Sequence, residues 1–340
     1  MKFAMLSTGG TIASVDSDKG LRPDSLNVQR LVEICPALMG FEHDIDFISV
    51  MSKDSSDMQP CDWLAMAENI KSVKSDAVIL LHGTDTLAYT ASALAYLLNN
   101  LNVPVVITGA MLAPQAVGVR RETEVGSDAG DNIYDAVQFA MQLAMYGRKG
   151  VYVAFGGVLI HGLRAYKADS RHVKAFISVD YPVLGEMKDK GGHKIAWLGS
   201  KVPAFTPKRP WPDNFNFVNS KIITLPVFPG LSAAVIDKVC ELEPRAIILE
   251  GYGLGGAPEN LLSAIKNCVA NNISVIVRTQ TLFGGVDLSI YEVGRRLLDV
   301  GAVPALNATC ESLIAKLTLL FASDTFSVNN LNLNICDDII

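Results

Sequence analysis

The chain has 340 residues, of which 49% are hydrophobic and 19% are charged, and its formal net charge is −6. This length and composition predict a globular protein of two domains. The acidic balance argues against a nucleic-acid or anionic-membrane surface, because both favour an excess of lysine and arginine. No apolar run approaches the roughly 18 residues of a membrane span. The first apolar run ends at Leu6, which is too short for the core of a secretory signal.

Apolar runs of strand length alternate with amphipathic stretches of helical length in the first half of the chain. The apolar runs are residues 3–6, 45–50, 77–81, 103–108 and 151–155. The amphipathic stretches are residues 61–73, 86–99 and 131–145. Continuous apolar runs are typical of strands buried on both faces. We therefore predict that residues 1–195 form the larger of two α/β domains, with a mainly parallel sheet flanked by helices.

A proline-rich segment interrupts this alternation. Its prolines are Pro203, Pro207, Pro210 and Pro212. Neither a helix nor a central strand tolerates such a density of proline, so residues 196–216 are interpreted as a linker. Beyond it the predicted strands are 222–225, 246–250 and 273–278, and the predicted helices are 232–241, 258–271, 289–300 and 309–321. Residues 217–340 are therefore predicted to form a smaller α/β domain with a flavodoxin-like parallel sheet.

The cysteines and histidines show no metal-binding pattern. The 6 cysteines are widely spaced, without a Cys-x-x-Cys pair, and are interpreted as buried thiols in a reducing compartment. The 5 histidines lack the spacing of metal ligands, and His82 is the one histidine considered for a functional role. The sequence therefore predicts neither a metal site nor a cofactor.

Two threonine-glycine segments each follow a predicted strand. They read STGGTIAS at residues 7–14 and HGTDTL at residues 82–87. In open parallel α/β sheets, ligands bind at the carboxyl ends of the strands. Either segment alone would also serve as an ordinary helix start, because Thr, Ser and Asp are common N-caps. The adjacent glycines Gly9 and Gly10 favour the ligand interpretation, since they allow a close approach to the backbone.

A third glycine-rich segment, residues 251–256, fits the pattern Gly-x-Gly-x-x-Gly between a predicted strand and a predicted helix. That context suits a dinucleotide site and a nicotinamide-dependent oxidoreductase. The next strand, however, ends in Arg278-Thr279-Gln280, with no acidic residue to hold a ribose hydroxyl. A tight strand-to-helix turn is the favoured interpretation, and the oxidoreductase is kept as an alternative.

Residues 7–13 and 81–87 together closely resemble the paired signatures of the bacterial-type L-asparaginase family. Further segments resemble the family along nearly the whole chain: residues 54–58, 103–110 and 127–132, and Lys167 within residues 165–169. In the second half, residues 228–230, 251–253 and 279–280 resemble the cytoplasmic type I branch. The two threonine signatures are specific as a pair and weak singly.

The resemblance implies an L-asparagine amidohydrolase that forms L-aspartate and ammonia. Amide hydrolysis near neutral pH requires an activated nucleophile, a proton donor and an oxyanion site. On the family's pattern, Thr11 attacks the side-chain amide and forms an acyl-enzyme. Thr84, Asp85 and Lys167 form a second catalytic cluster, in which Lys167 relays protons through Thr84.

The resemblance also implies how the substrate is bound. Asp85 would accept hydrogen bonds from the α-ammonium group, and Ser55 would hold the α-carboxylate. Backbone N–H groups near the two threonines would hold the oxyanion. The other expected substrate-binding residues are Gly10, Ser56, Gly83 and Thr84.

One position departs from the family's pattern. Many members carry a tyrosine in the loop after the first motif, where it contacts the first threonine, but here the expected position is Leu21. Tyr291, in the predicted second domain, is the candidate substitute, because mammalian-like relatives supply a tyrosine from that domain. A core or helix-surface role for Tyr291 is the alternative.

The resemblance implies a cytoplasmic homo-oligomer, either a dimer or a dimer of dimers, in which the second domain of one subunit completes the site of a neighbour. Three other functions stay open besides the oxidoreductase. They are a glutaminase/asparaginase of broad specificity, the amidase subunit of a tRNA-dependent amidotransferase, and a non-catalytic amino-acid sensor. Amidotransferase subunits usually carry an extra amino-terminal domain, whereas the first motif here starts at residue 7.

Overall fold

The computed structural model describes residues 1–17, 20–23, 28–40, 44–114, 126–188, 194–198, 214–217, 221–336 and 338. The chain divides into two compact units, Met1–Pro210 (the N-terminal unit) and Trp211–Ile340 (the C-terminal unit). Most of the predicted linker, residues 196–216, lies outside the described residues. The predicted boundaries at residues 195 and 217 therefore stay predictions.

The N-terminal unit is built around a large sheet. Its strands are β1 (Lys2–Gly9), β2 (Ser14–Ser17), β3 (Gly20–Pro23), β4 (Asp44–Lys53), β5 (Ala77–Leu81), β6 (Pro104–Thr108), β7 (Gly150–Phe155), β8 (Val158–His161), β9 (Ala165–Lys167), β10 (Phe176–Ser178), β11 (Gly185–Met187) and β12 (Ile195–Trp197). Eight of them form one sheet in the order β12-β11-β8-β7-β6-β5-β1-β4. Strands β4, β1, β5, β6 and β7 are parallel, and β8, β11 and β12 join antiparallel at one edge.

Two antiparallel hairpins, β2–β3 and β9–β10, lie outside the large sheet. The helices of the N-terminal unit are α1 (Val28–Ile34), α2 (Pro60–Ser72), α3 (Leu87–Leu97) and α4 (Ala129–Met145). Pro60 occupies the start of α2, where its missing N–H is not needed. The apolar residues of α4 pack with β1, β5 and β7 into one buried cluster that includes Phe3, Ile79 and Phe139. The mainly parallel sheet with helices is thereby confirmed.

The C-terminal unit contains a smaller parallel sheet, as predicted. Its strands are β13 (Ile222–Pro226), β14 (Ala246–Gly251), β15 (Ser274–Thr279) and β16 (Val303–Pro304), and they lie side by side in that order. The helices are α5 (Ala233–Cys240), α6 (Leu262–Ala270), α7 (Glu292–Asp299), α8 (Cys310–Ala322) and α9 (Val328–Leu331). One apolar cluster joins the sheet to α5 and α6, and another joins it to α8. Strands β14 and β15 are therefore covered on both faces, which explains their continuous apolar sequences.

The interpretation of the cysteines as buried thiols is wrong at Cys61, Cys240 and Cys268, and Cys310 is only partly buried. Cys240 and Cys268 form a disulfide between α5 and α6, because the packing of these helices brings their Cα atoms to 5.8 Å. Cys61 is exposed near the start of α2.

Within the part of the chain that the structure describes, the helices are too short or too polar to span a membrane.

Candidate active site

The first threonine segment forms a tight turn at the carboxyl end of β1. Gly9 and Gly10 have φ angles of +98° and +79°, which L side chains rarely adopt. The turn continues into a 3₁₀ helix, Thr11–Ala13, in which the Ala13 N–H donates to the Gly10 carbonyl at 3.0 Å. Thr11 is partly buried, and its hydroxyl has no hydrogen-bond partner among the residues that the structure describes.

The second threonine segment lies directly beside the first, because β1 and β5 are parallel neighbours with Ser7 opposite Leu81. The contact is between glycines. A Cβ atom added to Gly10 would overlap Gly83 Cα and would lie 2.5 Å from Gly83 N. The backbones thus meet at a distance that only glycine permits, and the two segments belong to one surface.

Ser55 lies in the same place, in a 3₁₀ turn after β4. Its side chain is buried, and a Cβ atom on Gly83 would lie 2.5 Å from Ser55 Oγ. The Asp85 N–H donates to Ser55 Oγ at 3.3 Å, and the Ser56 hydroxyl contacts Asp85 Oδ2 at 3.4 Å. The Thr86 hydroxyl donates to the Ser55 carbonyl at 2.7 Å. These bonds tie the turn after β4 to the segment after β5.

Lys167, at the end of β9, reaches the second threonine segment from a distant part of the sequence. Its ammonium group donates to Thr84 Oγ1 at 2.9 Å and forms an ion pair with Asp85 Oδ1 at 2.5 Å. The Lys167 side chain is 20% exposed, whereas that of Asp85 is 59% exposed. The Lys167 side chain is thus largely sheltered from solvent. The second carboxylate oxygen of Asp85, Oδ2, is directed at the Ser56 hydroxyl.

His82 serves the structure of this segment and not its chemistry. Its Nδ1 lies 2.6 Å from the Gly83 carbonyl oxygen, so Nδ1 carries the proton, and Nε2 lies 3.0 Å from Thr90 Oγ1, which donates to it. Complete burial lowers the pKa of His82 to about 4, so the ring is neutral near pH 7. Both ring nitrogens are occupied, and the ring fixes the carbonyl next to Thr84. The sequence offered no signal for this arrangement.

The loop where a tyrosine was expected forms the hairpin β2–β3. Leu21 pairs with Asp16 in this hairpin. Its side chain and residues 18–19 and 24–27 lie outside the described part of the structure. Because leucine has no hydroxyl, Leu21 cannot take the place of the tyrosine expected in this loop.

Tyr291 belongs to the C-terminal unit and is the N-cap residue of α7. Its position at the helix start corrects the predicted helix 289–300, which begins three residues too early. The side chain is 61% exposed and lines a cavity of about 390 Å³ together with Tyr252, Leu254, Pro258, Asp287 and Val293. Tyr291 is therefore accessible and is not a core residue.

The glycine-rich segment after β14 closes on itself. The N–H groups of Gly255 and Gly256 both donate to the Tyr252 carbonyl at 2.8 Å. Gly255 has a φ of +106°, and a Cβ there would lie 2.8 Å from the side chains of Val286 and Leu288. The glycines thus serve a tight turn packed against its neighbours. Among the described residues, no group of three or more His, Cys, Asp or Glu side chains could hold a metal ion.

Comparison with known proteins relates both units to one protein family. Residues 2–199 match the family model "Asparaginase, N-terminal", and residues 221–330 match "Glutaminase/Asparaginase C-terminal domain". An L-asparaginase of Thermococcus kodakarensis is 35% identical over 93% of this chain and 92% of its own length. A glutamyl-tRNA(Gln) amidotransferase subunit of Methanopyrus kandleri is 32% identical over 94% of this chain and 70% of its own.

Among solved structures, the thermostable L-asparaginase from Thermococcus kodakarensis superimposes with a TM-score of 0.86 at 32% identity, covering 100% of this chain and 99% of that one. The resemblance inferred from the threonine segments is confirmed by these matches, which extend over both units. The chain belongs to the asparaginase family.

Proposed function

We propose that this protein is an L-asparagine amidohydrolase that releases ammonia and L-aspartate through a threonine acyl-enzyme. The observation that supports it most is the bonded set Lys167–Thr84–Asp85 in the segment that touches the turn of Thr11. A purely structural strand end does not require a lysine that is bonded to both a threonine hydroxyl and a carboxylate. A site that transfers protons to and from an amide requires such groups.

In the first half of the reaction, Thr11 Oγ attacks the amide carbon of the substrate side chain. The hydroxyl proton passes to the amide nitrogen, the C–N bond breaks, and ammonia leaves. An ester to Thr11 remains. Backbone N–H groups of the two glycine turns stabilise the oxyanion that forms before the bond breaks.

In the second half, water attacks the ester carbon and the bond to Thr11 Oγ breaks. Aspartate leaves, and the threonine hydroxyl is restored. Lys167 relays the protons through Thr84, to which its Nζ is already bonded at 2.9 Å. Asp85 holds the α-ammonium group of the substrate, and Ser55 with Ser56 holds the α-carboxylate.

The hydroxyl that assists Thr11 is assigned to Tyr291, because Leu21 has none. We propose further that Tyr291 comes from a second copy of the chain, so that the enzyme is at least a homodimer. Its exposure and its position beside a cavity support this assignment. The cytoplasmic location expected from the type I resemblance stays a prediction.

Ammonia release from L-asparagine and L-glutamine, measured side by side, tests the proposal. The wild-type chain is expected to prefer asparagine, and added hydroxylamine is expected to trap the acyl-enzyme as a hydroxamate. Thr11→Ala and Thr84→Val are each expected to abolish turnover with an unchanged circular dichroism spectrum. Thr224→Val, at an exposed position of β13, is the matched control. Activity retained in Thr11→Ala would contradict the acyl-enzyme.

The same assay separates the remaining candidate functions. The relatives named as amidotransferase subunits make glutamine a substrate to test, and equal turnover of the two amides would favour a broad glutaminase/asparaginase. A sensor would bind asparagine without releasing ammonia. Turnover of either amide only with a partner protein and tRNA would favour an amidotransferase.

A further inference from the structure

The loop that follows β6, residues 109–112 (the β6 loop), packs against the catalytic threonine segment. A Cβ atom on Gly109 would overlap the His82 carbonyl oxygen and would lie 3.5 Å from Thr84 Cγ2. Ala110, the next residue, is fully buried. The space beside Gly109 is thus closed by the His82 carbonyl and the Thr84 methyl group, while the Thr84 hydroxyl contacts Lys167.

The β6 loop has no secondary structure of its own, and Asp128 holds it. Asp128 accepts hydrogen bonds from the N–H of Met111 at 3.0 Å and from that of Leu112 at 2.9 Å. The Asn132 side-chain amide donates to the same carboxylate at 3.0 Å. Asp128 is only 9% exposed, so these charge-assisted bonds lie in a low-dielectric surrounding, where they are strong.

Asn132, on the first turn of α4, also holds the β6 loop, and Asp128 and Asn132 together form a clamp on it. The Asn132 amide also donates to the Gly109 carbonyl at 2.9 Å, and its side-chain oxygen accepts the N–H of Gly156 at 3.0 Å. Asn132 is 2% exposed. Its side chain thus connects the β6 loop to the turn after β7, which is part of the rigid sheet.

We propose that Asp128 and Asn132 are positioning residues, which hold the β6 loop against Thr84 and thereby keep the Thr84 hydroxyl on Lys167. This inference rests on the proposed function, because it assigns the clamp to the same reaction. Neither residue of the clamp contacts an atom that takes part in the reaction. It fixes the surface against which the relay threonine is oriented, and a misplacement of about 1 Å at such a site can lower a rate by about 100-fold.

Asp128→Asn tests the clamp, with Asp131→Asn as the matched control. The new side-chain NH2 group would face either the Leu112 N–H or the N–H groups of both Met111 and Asn132, so at least one donor loses its acceptor. Asp131 is on the same helix, is exposed, and loses the same charge. We expect Asp128→Asn to lower kcat for asparagine about 10- to 100-fold with KM within about threefold of wild type. Asp131→Asn is expected to leave both values unchanged.

Hydrogen exchange of the peptide covering residues 105–114 gives a readout that does not need activity. Faster exchange in Asp128→Asn than in Asp131→Asn is expected, because either the Met111 or the Leu112 amide loses its acceptor. Faster exchange with a wild-type kcat of the folded protein would overturn the positioning role. A fall in kcat that only follows the folded fraction would overturn it too.

Two further comparisons complete the design. If Asp128→Asn does not fold, Ser127→Ala replaces it, since it removes the hydroxyl that donates to the Leu112 carbonyl at 2.6 Å. The same change removes the acceptor of the Ala129 N–H. A two- to fivefold lower kcat is then expected, about the effect of losing the hydrogen bond to the β6 loop, and an unchanged kcat overturns the inference. Absence of ammonia release by the wild-type chain would instead reject the proposed function, which is a separate result.

Discussion

Lys167 connects two functional groups through one ammonium, since its Nζ contacts both Thr84 Oγ1 and Asp85 Oδ1. Lys167→Met keeps the apolar stem and removes the charge and its protons. We expect kcat to fall by a factor of about 10²–10⁴, the usual contribution of a positioned acid or base. Steady-state ammonia release measures it.

Lys188→Met is the control for this prediction. Lys188 forms an exposed ion pair with Glu186, and such pairs contribute little. Equal activity of the two methionine variants would remove Lys167 from the mechanism.

The sequence identified some of these residues better than others. Thr84 and Asp85 are adjacent, and their place after an apolar run already indicated a strand-end site. Lys167 lies 82 residues beyond Asp85 and was found only through the family resemblance, because no spacing rule predicts which hairpin reaches a given strand end. The role of the His82 ring was not predicted either, because it depends on the hydroxyl of Thr90, 8 residues further on in α3.

At the scale of the element, the turn after β1 depends on two requirements at Gly10. Its φ of +79° is strained for any L residue, and a Cβ there would collide with the Gly83 backbone. Gly10→Ala is therefore expected to destabilise the protein by the strain, about 1–2 kcal/mol, and by a further 1–3 kcal/mol, roughly, for the overlap. It is also expected to lower kcat more than about tenfold, because the two threonine segments move apart.

Gly147→Ala separates the two effects. Gly147 has a φ of +62° and no atom within 4 Å of an added Cβ, so only the strain applies. Thermal unfolding of both variants, followed by circular dichroism, measures the difference. Equal losses of stability would show that the Gly10–Gly83 contact is looser than the structure indicates.

The elements themselves followed from the sequence where their apolar pattern was long enough to read. The runs at 77–81 and 103–108 became β5 and β6 with bounds within one residue. The three antiparallel strands of the large sheet, β8, β11 and β12, were missed, because strands of 3 or 4 residues contain too few positions to show a period. The helix start at residue 289 was misplaced because Ser289 bonds Asp287 in a turn that precedes α7.

Helix α4 carries a carboxyl group that should make stability depend on pH. Burial raises the pKa of Asp135 from 3.8 to about 7, and the nearby Asp131 contributes in the same direction. Between these two values the folded state binds more protons than the unfolded state, so Asp135 lowers stability as pH rises from about 4 to 7. The slope is up to about 1.4 kcal/mol per pH unit.

Asp135→Asn removes this dependence. The variant is expected to match the wild type near pH 4 and to be more stable above pH 7, with the difference growing in between. Melting temperatures at pH 4.5, 6 and 8 check it, each compared with Asp237→Asn, an exposed carboxyl group on α5 that does not act on Asp135. A difference that stays constant over this range would show that Asp135 is ionised in the folded protein throughout.

At the scale of the whole molecule, the proposed machinery is divided between the two compact units. The N-terminal unit carries Thr11, Thr84 and Lys167, and the C-terminal unit carries Tyr291. The amino-acid composition does not indicate whether Tyr291 acts in its own chain or in another copy. Two variants, each of which keeps the functional residue that the other lacks, can decide the question.

Thr11→Ala lacks the proposed nucleophile, and Tyr291→Phe lacks only the assisting hydroxyl, so it is expected to lower kcat far more than it raises KM. If Tyr291 acts on a second copy, a dimer of one chain of each kind has one site with both defects and one site with neither. Random mixing by co-expression makes half of the dimers mixed, so activity should return to about a quarter of the wild-type value. Ammonia release by the purified mixture, with each variant alone as control, measures it. If Tyr291 acts within its own chain, every site keeps one defect, and the mixture stays at the average of the two variants.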